Sequence, residues 1–100
     1  LNTLLFLEDL RFCKKGEAGE FVQSGEIAPG GSLPVNTNGG GLCCIHPGMY
    51  GLFCIIEAVI QLRGEAGERQ VQSPSLAIAH GNGGTLSHQS TTIFGVADTL

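Results

Sequence analysis

Apolar residues recur three and four apart at the start of the chain, where Leu4, Leu7 and Leu10 form a stripe widened by Phe6 and Cys13. That spacing predicts a helix over residues 1–13, closed by the cationic turn Lys14-Lys15 and by Gly16. Residues 16–32, rich in glycine and serine, read as loop, with Glu20 to Val22 briefly extended. Leu33 to Val35 is a short apolar run that reads as a short strand. The clearest element follows: Pro47 suits a first helical position, Gly64 suits a stop, and apolar residues cover nearly every face from Met49 to Leu62. A helix of that kind is expected to be buried on more than one side. Gly48 and Gly51 in its first turns would let another backbone approach closely.

Beyond it, residues 64–75 are polar and looped. The pentapeptide Gly-Glu-Ala-Gly-Glu occurs at 16–20 and again at 64–68, each copy after a helix and a basic residue. The flanks do not match, so the copies read as two similar helix-ending loops rather than an architectural repeat. Pro74 opens an apolar run from Leu76 to Ala79. Gly81-Asn82-Gly83-Gly84 has hairpin-turn chemistry, and Thr85 to Gly95, rich in β-branched residues, reads as the returning strand. The order is helix, short strand, buried helix and terminal β-hairpin, an α/β piece.

Length and composition narrow the function classes. The 100 residues make at most one small domain, and a chain this short buries only ~60–65% of its unfolded surface. With 42% hydrophobic residues and only 14% charged, much of the surface is expected to lie under more protein. The net charge of −4 and the lack of a basic run argue against nucleic acid as a partner. The most apolar stretch, Met49 to Leu62, contains Glu57 and Gln61 and is shorter than the ~20 residues a bilayer requires. Glu8 and Asp9 interrupt the N-terminal stripe and no basic region precedes it, so a signal peptide is not expected; the four cysteines then read as reduced thiols in a cytoplasmic setting. The chain opens on Leu1 in mid-pattern, which suggests a fragment, an incomplete domain spanning 1–100.

Three clusters could carry chemistry. In Asn36-Thr37-Asn38-Gly39-Gly40-Gly41 the glycines can aim backbone N–H groups at a ligand's oxygen atoms; the same run also suits a flexible turn. In Cys43-Cys44-Ile45-His46-Pro47, His46 falls at or near a helix N-cap. The partial positive charge there, and burial, both disfavour the imidazolium, leaving a neutral ring that can accept a proton or donate a hydrogen bond. A histidine that merely caps a helix would occupy the same place. Zinc is not expected, because Cys43, Cys44 and His46 are too tightly spaced and no second pair follows. The third cluster, His80-Gly81-Asn82-Gly83-Gly84, lies at the tip of the expected hairpin, either an ordinary turn or a polar group reaching a cleft. Tyr50 stands one helical turn after His46 and is either a helix contact or a proton donor. His88, Cys13 and Cys54 read as structural.

The run Asn-Thr-Asn-Gly-Gly-Gly-Leu at 36–42, followed after three residues by His-Pro-Gly-Met-Tyr-Gly at 46–51, resembles the thiolase signature, in which an Asn-x-x-Gly-Gly turn leads to Gly-His-Pro and a glycine-rich helix start. His80-Gly81-Asn82-Gly83-Gly84 stands where thiolases carry a Cys-x-Gly-Gly-Gly turn. Leu7 to Leu10, Phe12 to Lys15 and Ile27 to Gly31 look like the branch of acetyl-CoA acetyltransferases and lipid-transfer, sterol-carrier-type thiolases. The resemblance implies the C-terminal part of a five-layered thiolase fold, with an N-terminal half supplying a nucleophilic cysteine that takes an acyl group from coenzyme A. His46 would activate that cysteine and hold the thioester oxygen. His80 would replace the cysteine that moves the proton during carbon–carbon bond formation or cleavage. Asn36, Asn38, Gly39, Gly40, Asn82 and Gly83 would line the acyl-CoA substrate. No cofactor is implied beyond the coenzyme A thioester, and the family is usually dimeric. Two departures bear on the chemistry: Cys44-Ile45 precedes His46 where the family has glycine, and His80 is not a cysteine. Relatives with altered residues act as retro-aldolases on steroid acyl-CoA with a tyrosine as acid or base, which would give Tyr50 that role. A non-catalytic acyl-CoA or lipid-binding subunit is the remaining reading.

Overall fold

The computed structural model describes residues 1–44 and 48–99, with only the backbone of Thr99, and gathers them into two compact units, residues 1–35 and 36–100. The first unit holds α1 (Asn2–Asp9) and α2 (Ala18–Gln23). Leu7 is the buried member of the leucine stripe, as its helical spacing demands. The helix stops well short of the glycine expected to end it. Arg11 takes a left-handed φ of 67°, its N–H donates to the Glu8 carbonyl at 3.0 Å, and the Phe12 N–H reaches back to the Leu7 carbonyl at 2.9 Å. This is a two-bond helix cap whose left-handed position usually takes glycine. An arginine there gives no sequence signal, and Phe12 and Cys13 fall outside the helix. Residues expected to be loop or extended, Glu20 to Val22, are helical in α2, which Gly25 closes with φ 85°. Leu33 to Val35 form no strand. The Leu33 and Val35 N–H groups bond instead to the Glu26 and Ile27 carbonyls at 2.9 and 3.1 Å, which satisfies them within a loop.

The second unit is built on α3 (Tyr50–Leu62) packed against a two-stranded antiparallel sheet of β1 (Leu76–Gly83) and β2 (His88–Gly95). Short 3-10 turns occupy Gly41–Cys43, Gly67–Arg69 and Ala97–Thr99. Gly64 ends α3 as expected. It takes φ 72° and donates to the Gln61 carbonyl at 3.1 Å, and Glu65 donates to Ile60 at 3.1 Å. The hairpin turn lies further along than the glycines suggested. β1 runs on through Gly81, Asn82 and Gly83, and the chain reverses over Gly84 to Ser87, with the Ser87 N–H on the Gly83 carbonyl at 3.1 Å. Gly84 and Leu86 carry the positive φ values, 62° and 58°.

Helix and sheet meet at a glycine pair. A Cβ built on Gly81 would lie 3.4 Å from the Gly51 Cα, and one built on Gly51 would lie 3.8 Å from the Gly81 Cα. Side chains at both positions would hold the backbones apart, so the close approach foreseen for Gly51 is realised against β1. Burial inverts the polarity expected of α3: Glu57 is 8% and Gln61 5% exposed, whereas Leu52 is 50% and Ile56 47% exposed. On the hairpin Leu76 and Ile93 are 61% and 69% exposed. No helix among the described residues is long and apolar enough to cross a membrane.

The two pentapeptides share their first half in three dimensions. Gly16 and Gly64 both take left-handed φ, at 85° and 72°. Ala18 and Ala66 are both buried, and each alanine N–H donates to a side-chain oxygen: Ala18 to Glu8 Oε2 at 3.2 Å, Ala66 to Gln70 Oε1 at 3.0 Å. After the alanine they diverge, into α2 and into a 3-10 turn.

Candidate functional site

The Asn36–Gly40 segment is a tight turn rather than a slack linker. The Gly39 N–H donates to the Asn36 carbonyl at 2.9 Å, and the Gly40 N–H donates to Asn38 Oδ1 at 3.0 Å. Asn36 takes φ 54°, a value asparagine tolerates better than most side chains, and Gly39 takes φ 95°. A Cβ on Gly39 would run into the Cys43 side chain, so position 39 requires glycine for conformation and for space.

Tyr50, the first residue of α3, donates from its hydroxyl to the same Asn38 Oδ1 at 3.4 Å. The turn and the helix start, two separate motifs in the sequence, are thereby joined. The Gly40 N–H fixes which amide atom of Asn38 faces the phenol. The Tyr50 ring packs edge-on against Phe53, centroids 6.2 Å apart at 78°. Burial pushes the Tyr50 phenol above its ordinary value, and the Cys54 thiol one helical turn on adds in the same direction. Burial also raises the Cys54 thiol. At neutral pH this corner holds a protonated phenol and a protonated thiol, both proton donors. His46 lies outside the described residues, as does Pro47.

A buried polar network anchors the turn from behind. Thr37 Oγ1 donates to Glu57 Oε2 at 2.6 Å. Arg69 grips the same carboxylate from two nitrogens, Nε at 3.0 Å to Oε2 and Nη2 at 2.8 Å to Oε1, and Gln61 Nε2 adds a bond at 3.1 Å. The Arg69 guanidinium is the main reason the Glu57 carboxyl is held down at about 2, outweighing the burial that opposes it. Gln61 in turn binds the Arg69 carbonyl at 3.0 Å and the Val71 N–H at 2.8 Å, while Gln70 Nε2 reaches the Gln61 carbonyl at 2.9 Å. Buried polar atoms on α3 are thus paired with the loop that follows it, which is why Glu57 and Gln61 face inward. Neither Arg69 nor Gln70 was singled out from the sequence, and Thr37 entered only as a member of the 36–41 turn. Glu57 and Gln61 had served only as evidence against a membrane span. Their spacing of four on an otherwise apolar helix was the available signal.

His80 is not at the hairpin tip but in the middle of β1, opposite Thr91. Because the Cβ direction at Gly81 faces α3, alternation along the strand turns His80 and Asn82 to the other face of the sheet. There the His80 Nδ1 lies 2.6 Å from Thr91 Oγ1 and Nε2 lies 2.8 Å from Gln89 Oε1. Gly83 shares Gly81's side. His88 opens β2 opposite Gly83. The structure therefore brings Asn36, Asn38, Gly39, Gly40 and Tyr50 together, and sets His80 and Asn82 on a second, outward-facing cluster. Among the described residues no three His, Cys, Asp or Glu side chains converge as a metal site would require. All four cysteines are free thiols.

Residues 1–96 match the family described as thiolase C-terminal domain-like. The chain is 41% identical over 95 residues to an acetyl-CoA acetyltransferase of Methanothermobacter thermautotrophicus, covering 94% of this chain and 25% of that protein. It is 55% identical over 64 residues to a 17-hydroxy-3-oxo-4-pregnene-20-carboxyl-CoA lyase of Mycobacterium tuberculosis, covering 62% of this chain and 16% of the lyase. To sterol carrier protein 2 of Bos taurus it is 39% identical over 83 residues, 82% of this chain and 15% of the relative. The chain thus spans a quarter or less of the length of these relatives.

Proposed function

The chain belongs to the thiolase C-terminal domain-like family, and from that premise we propose that it supplies the C-terminal half of an active site that makes or breaks a carbon–carbon bond in an acyl-CoA thioester. A longer polypeptide would add the nucleophilic cysteine and the rest of the fold, and the chain by itself would be inactive. The half-exposed Leu52 and Ile56 and the more exposed Leu76 and Ile93 suit burial under that missing half and in a homodimer. The observation that carries the reading is the Tyr50 hydroxyl on Asn38 Oδ1, which joins the glycine turn and the helix start of the 36–51 signature at one corner.

In this reading His46 activates the absent cysteine and polarises the thioester oxygen. Asn36, Asn38, Gly39 and Gly40 shape the wall against the substrate. His80 handles the proton at the carbon next to the thioester carbonyl, with Asn82 on the same face of the hairpin and Gly83 on the other. A retro-aldol cleavage of a hydroxyacyl-CoA is the second reading, favoured by the raised Tyr50 phenol. In that cleavage the hydroxyl group gives its proton to a base as its carbon becomes a carbonyl, the carbon–carbon electron pair passes into the thioester enolate, and the enolate takes a proton; a phenol that keeps its proton at neutral pH can give one. The lyase and a steroid side-chain-cleaving aldolase of Thermomonospora curvata, 40% identical over 79 residues, carry names of that chemistry.

The test is the full-length polypeptide with His46→Ala and, separately, Tyr50→Phe, assayed for thiolysis and for retro-aldol cleavage. Thiolase chemistry predicts loss of ~100-fold or more with His46→Ala and little change with Tyr50→Phe. Retro-aldol chemistry predicts a comparable loss with Tyr50→Phe. Full activity in both variants would remove these roles for His46 and Tyr50, and a full-length wild type that binds acyl-CoA but turns over neither substrate would leave an acyl-CoA or lipid-binding subunit.

A further inference from the structure

When its imidazole is neutral, the cluster on the outward face of the hairpin has one proton arrangement that suits the Gln89 oxygen facing Nε2. His80 is half-buried in β1, with Thr91 directly across the pair and Gln89 on the diagonal, two residues back along β2. Gln89 Oε1, 2.8 Å from His80 Nε2, is an amide oxygen and can only accept, so the proton of that bond resides on Nε2. A neutral imidazole carries one N–H, which leaves Nδ1 as acceptor. The partner there is Thr91 Oγ1 at 2.6 Å, so the threonine hydroxyl is the donor. Hydroxyl, imidazole and orienting acceptor stand in the order that activates a hydroxyl group: one group to be deprotonated, a base, and a third group that fixes the base's tautomer.

We propose that Gln89 is a positioning residue that locks His80 in its Nε2–H form, and that Thr91 is a further catalytic residue whose hydroxyl passes protons between substrate and His80. This rests on the reading above, in which His80 moves the proton next to the thioester carbonyl. In the enolising direction, Thr91 Oγ1 takes the proton from the carbon α to the thioester carbonyl as its own proton passes to His80 Nδ1. The carbon–hydrogen electron pair moves into the enolate. Substrate loses one proton, the imidazole becomes imidazolium, and threonine is unchanged. The reverse transfer protonates the enolate left by carbon–carbon cleavage. Gln89 and Thr91 are solvent-exposed strand positions, so their replacement leaves the core intact.

Ring-nitrogen NMR of isotope-labelled chain, above the pH at which histidine titrates, reads the tautomer directly, with His80 assigned by its loss in His80→Gln. The expected result is Nε2–H for His80, kept in Thr91→Ser and in Thr91→Val, where Gln89 still holds Nε2, and replaced by a mixture of both tautomers in Gln89→Met. An Nδ1–H ring in the wild-type chain overturns the proposal, and so does an unchanged Nε2–H ring in Gln89→Met. Cross-strand amide contacts in the same spectra report whether the hairpin survives; if a variant loses it, the wild-type tautomer still decides. In the full-length polypeptide Thr91→Val is expected to lower kcat ~100-fold with KM unchanged, and Thr91→Ser to restore it. If His80→Ala keeps full activity while the wild-type ring is Nε2–H, the functional reading has failed and the tautomer assignment stands.

Discussion

Protonating Glu57 should release α3 from the loop that follows it, and the size of that effect can be worked from the structure. Glu57 is 8% exposed and is held by Arg69, Thr37 and Gln61. Its carboxyl lies at about 2 against an ordinary 4.5, with the Arg69 hydrogen bonds as the largest cause. At ~1.4 kcal/mol per pH unit, that difference amounts to ~3 kcal/mol of folded-state stability. The Arg69 side chain is 47% exposed, so water screens one side of the pair and ~2 kcal/mol is the safer expectation. Because the folded-state value is lowered, the contribution is complete above the ordinary 4.5 and is lost as pH falls towards about 2. Glu57→Gln keeps the shape but removes the charge. Urea midpoints of the wild-type chain and of Glu57→Gln, measured from about pH 6 down to about pH 2, should converge as the acid limit is approached, the variant starting ~2 kcal/mol lower. Other carboxylates titrate equally in both proteins and cancel. Parallel profiles across that range would refute the reasoning, since Glu57 would then contribute nothing specific to its ionised form.

Tyr50 is the one tyrosine in a chain without tryptophan, so its ultraviolet absorbance titrates alone. The phenol should ionise above the ordinary tyrosine range in the folded chain and return to that range in urea, and equal midpoints in the two states would contradict its burial. Gly39→Ala should cost ~2 kcal/mol of stability by urea unfolding, because a left-handed φ of 95° is compounded by the Cys43 side chain; Gly25→Ala, at φ 85° with open space around it, should cost only ~1 kcal/mol. Gly81→Val should destabilise by ~1–3 kcal/mol and lower Tm, since its Cβ would already lie 3.4 Å from the Gly51 backbone before the branch is added. An unchanged Tm would show that helix and sheet are not held at that contact.

Local pattern determined much of this protein. The leucine spacing placed α1, the long apolar run ending at Gly64 placed α3, and the β-branched residues after Gly84 placed β2, because each rests on backbone periodicity and the last two also on a glycine that tolerates a left-handed turn with ease. The Asn36–Gly40 turn and Tyr50 were legible as candidates for the same reason, a motif written within a few adjacent residues. Local pattern also misled where another residue did glycine's work. Arg11 closed α1 early, and the glycines at 81 and 83 served a strand rather than a turn because Gly81 lies against Gly51. Only the tertiary structure decided that Glu57 and Gln61 face inward and Leu52 and Ile56 outward, since a buried carboxylate is stable where Thr37 and Arg69, 20 residues before and 12 after it, converge on its oxygens. It also decided that His80 stands with Thr91 and Gln89 on the outer face of the hairpin. That grouping depends on strand register, in which a shift of one residue would turn every side chain to the opposite face.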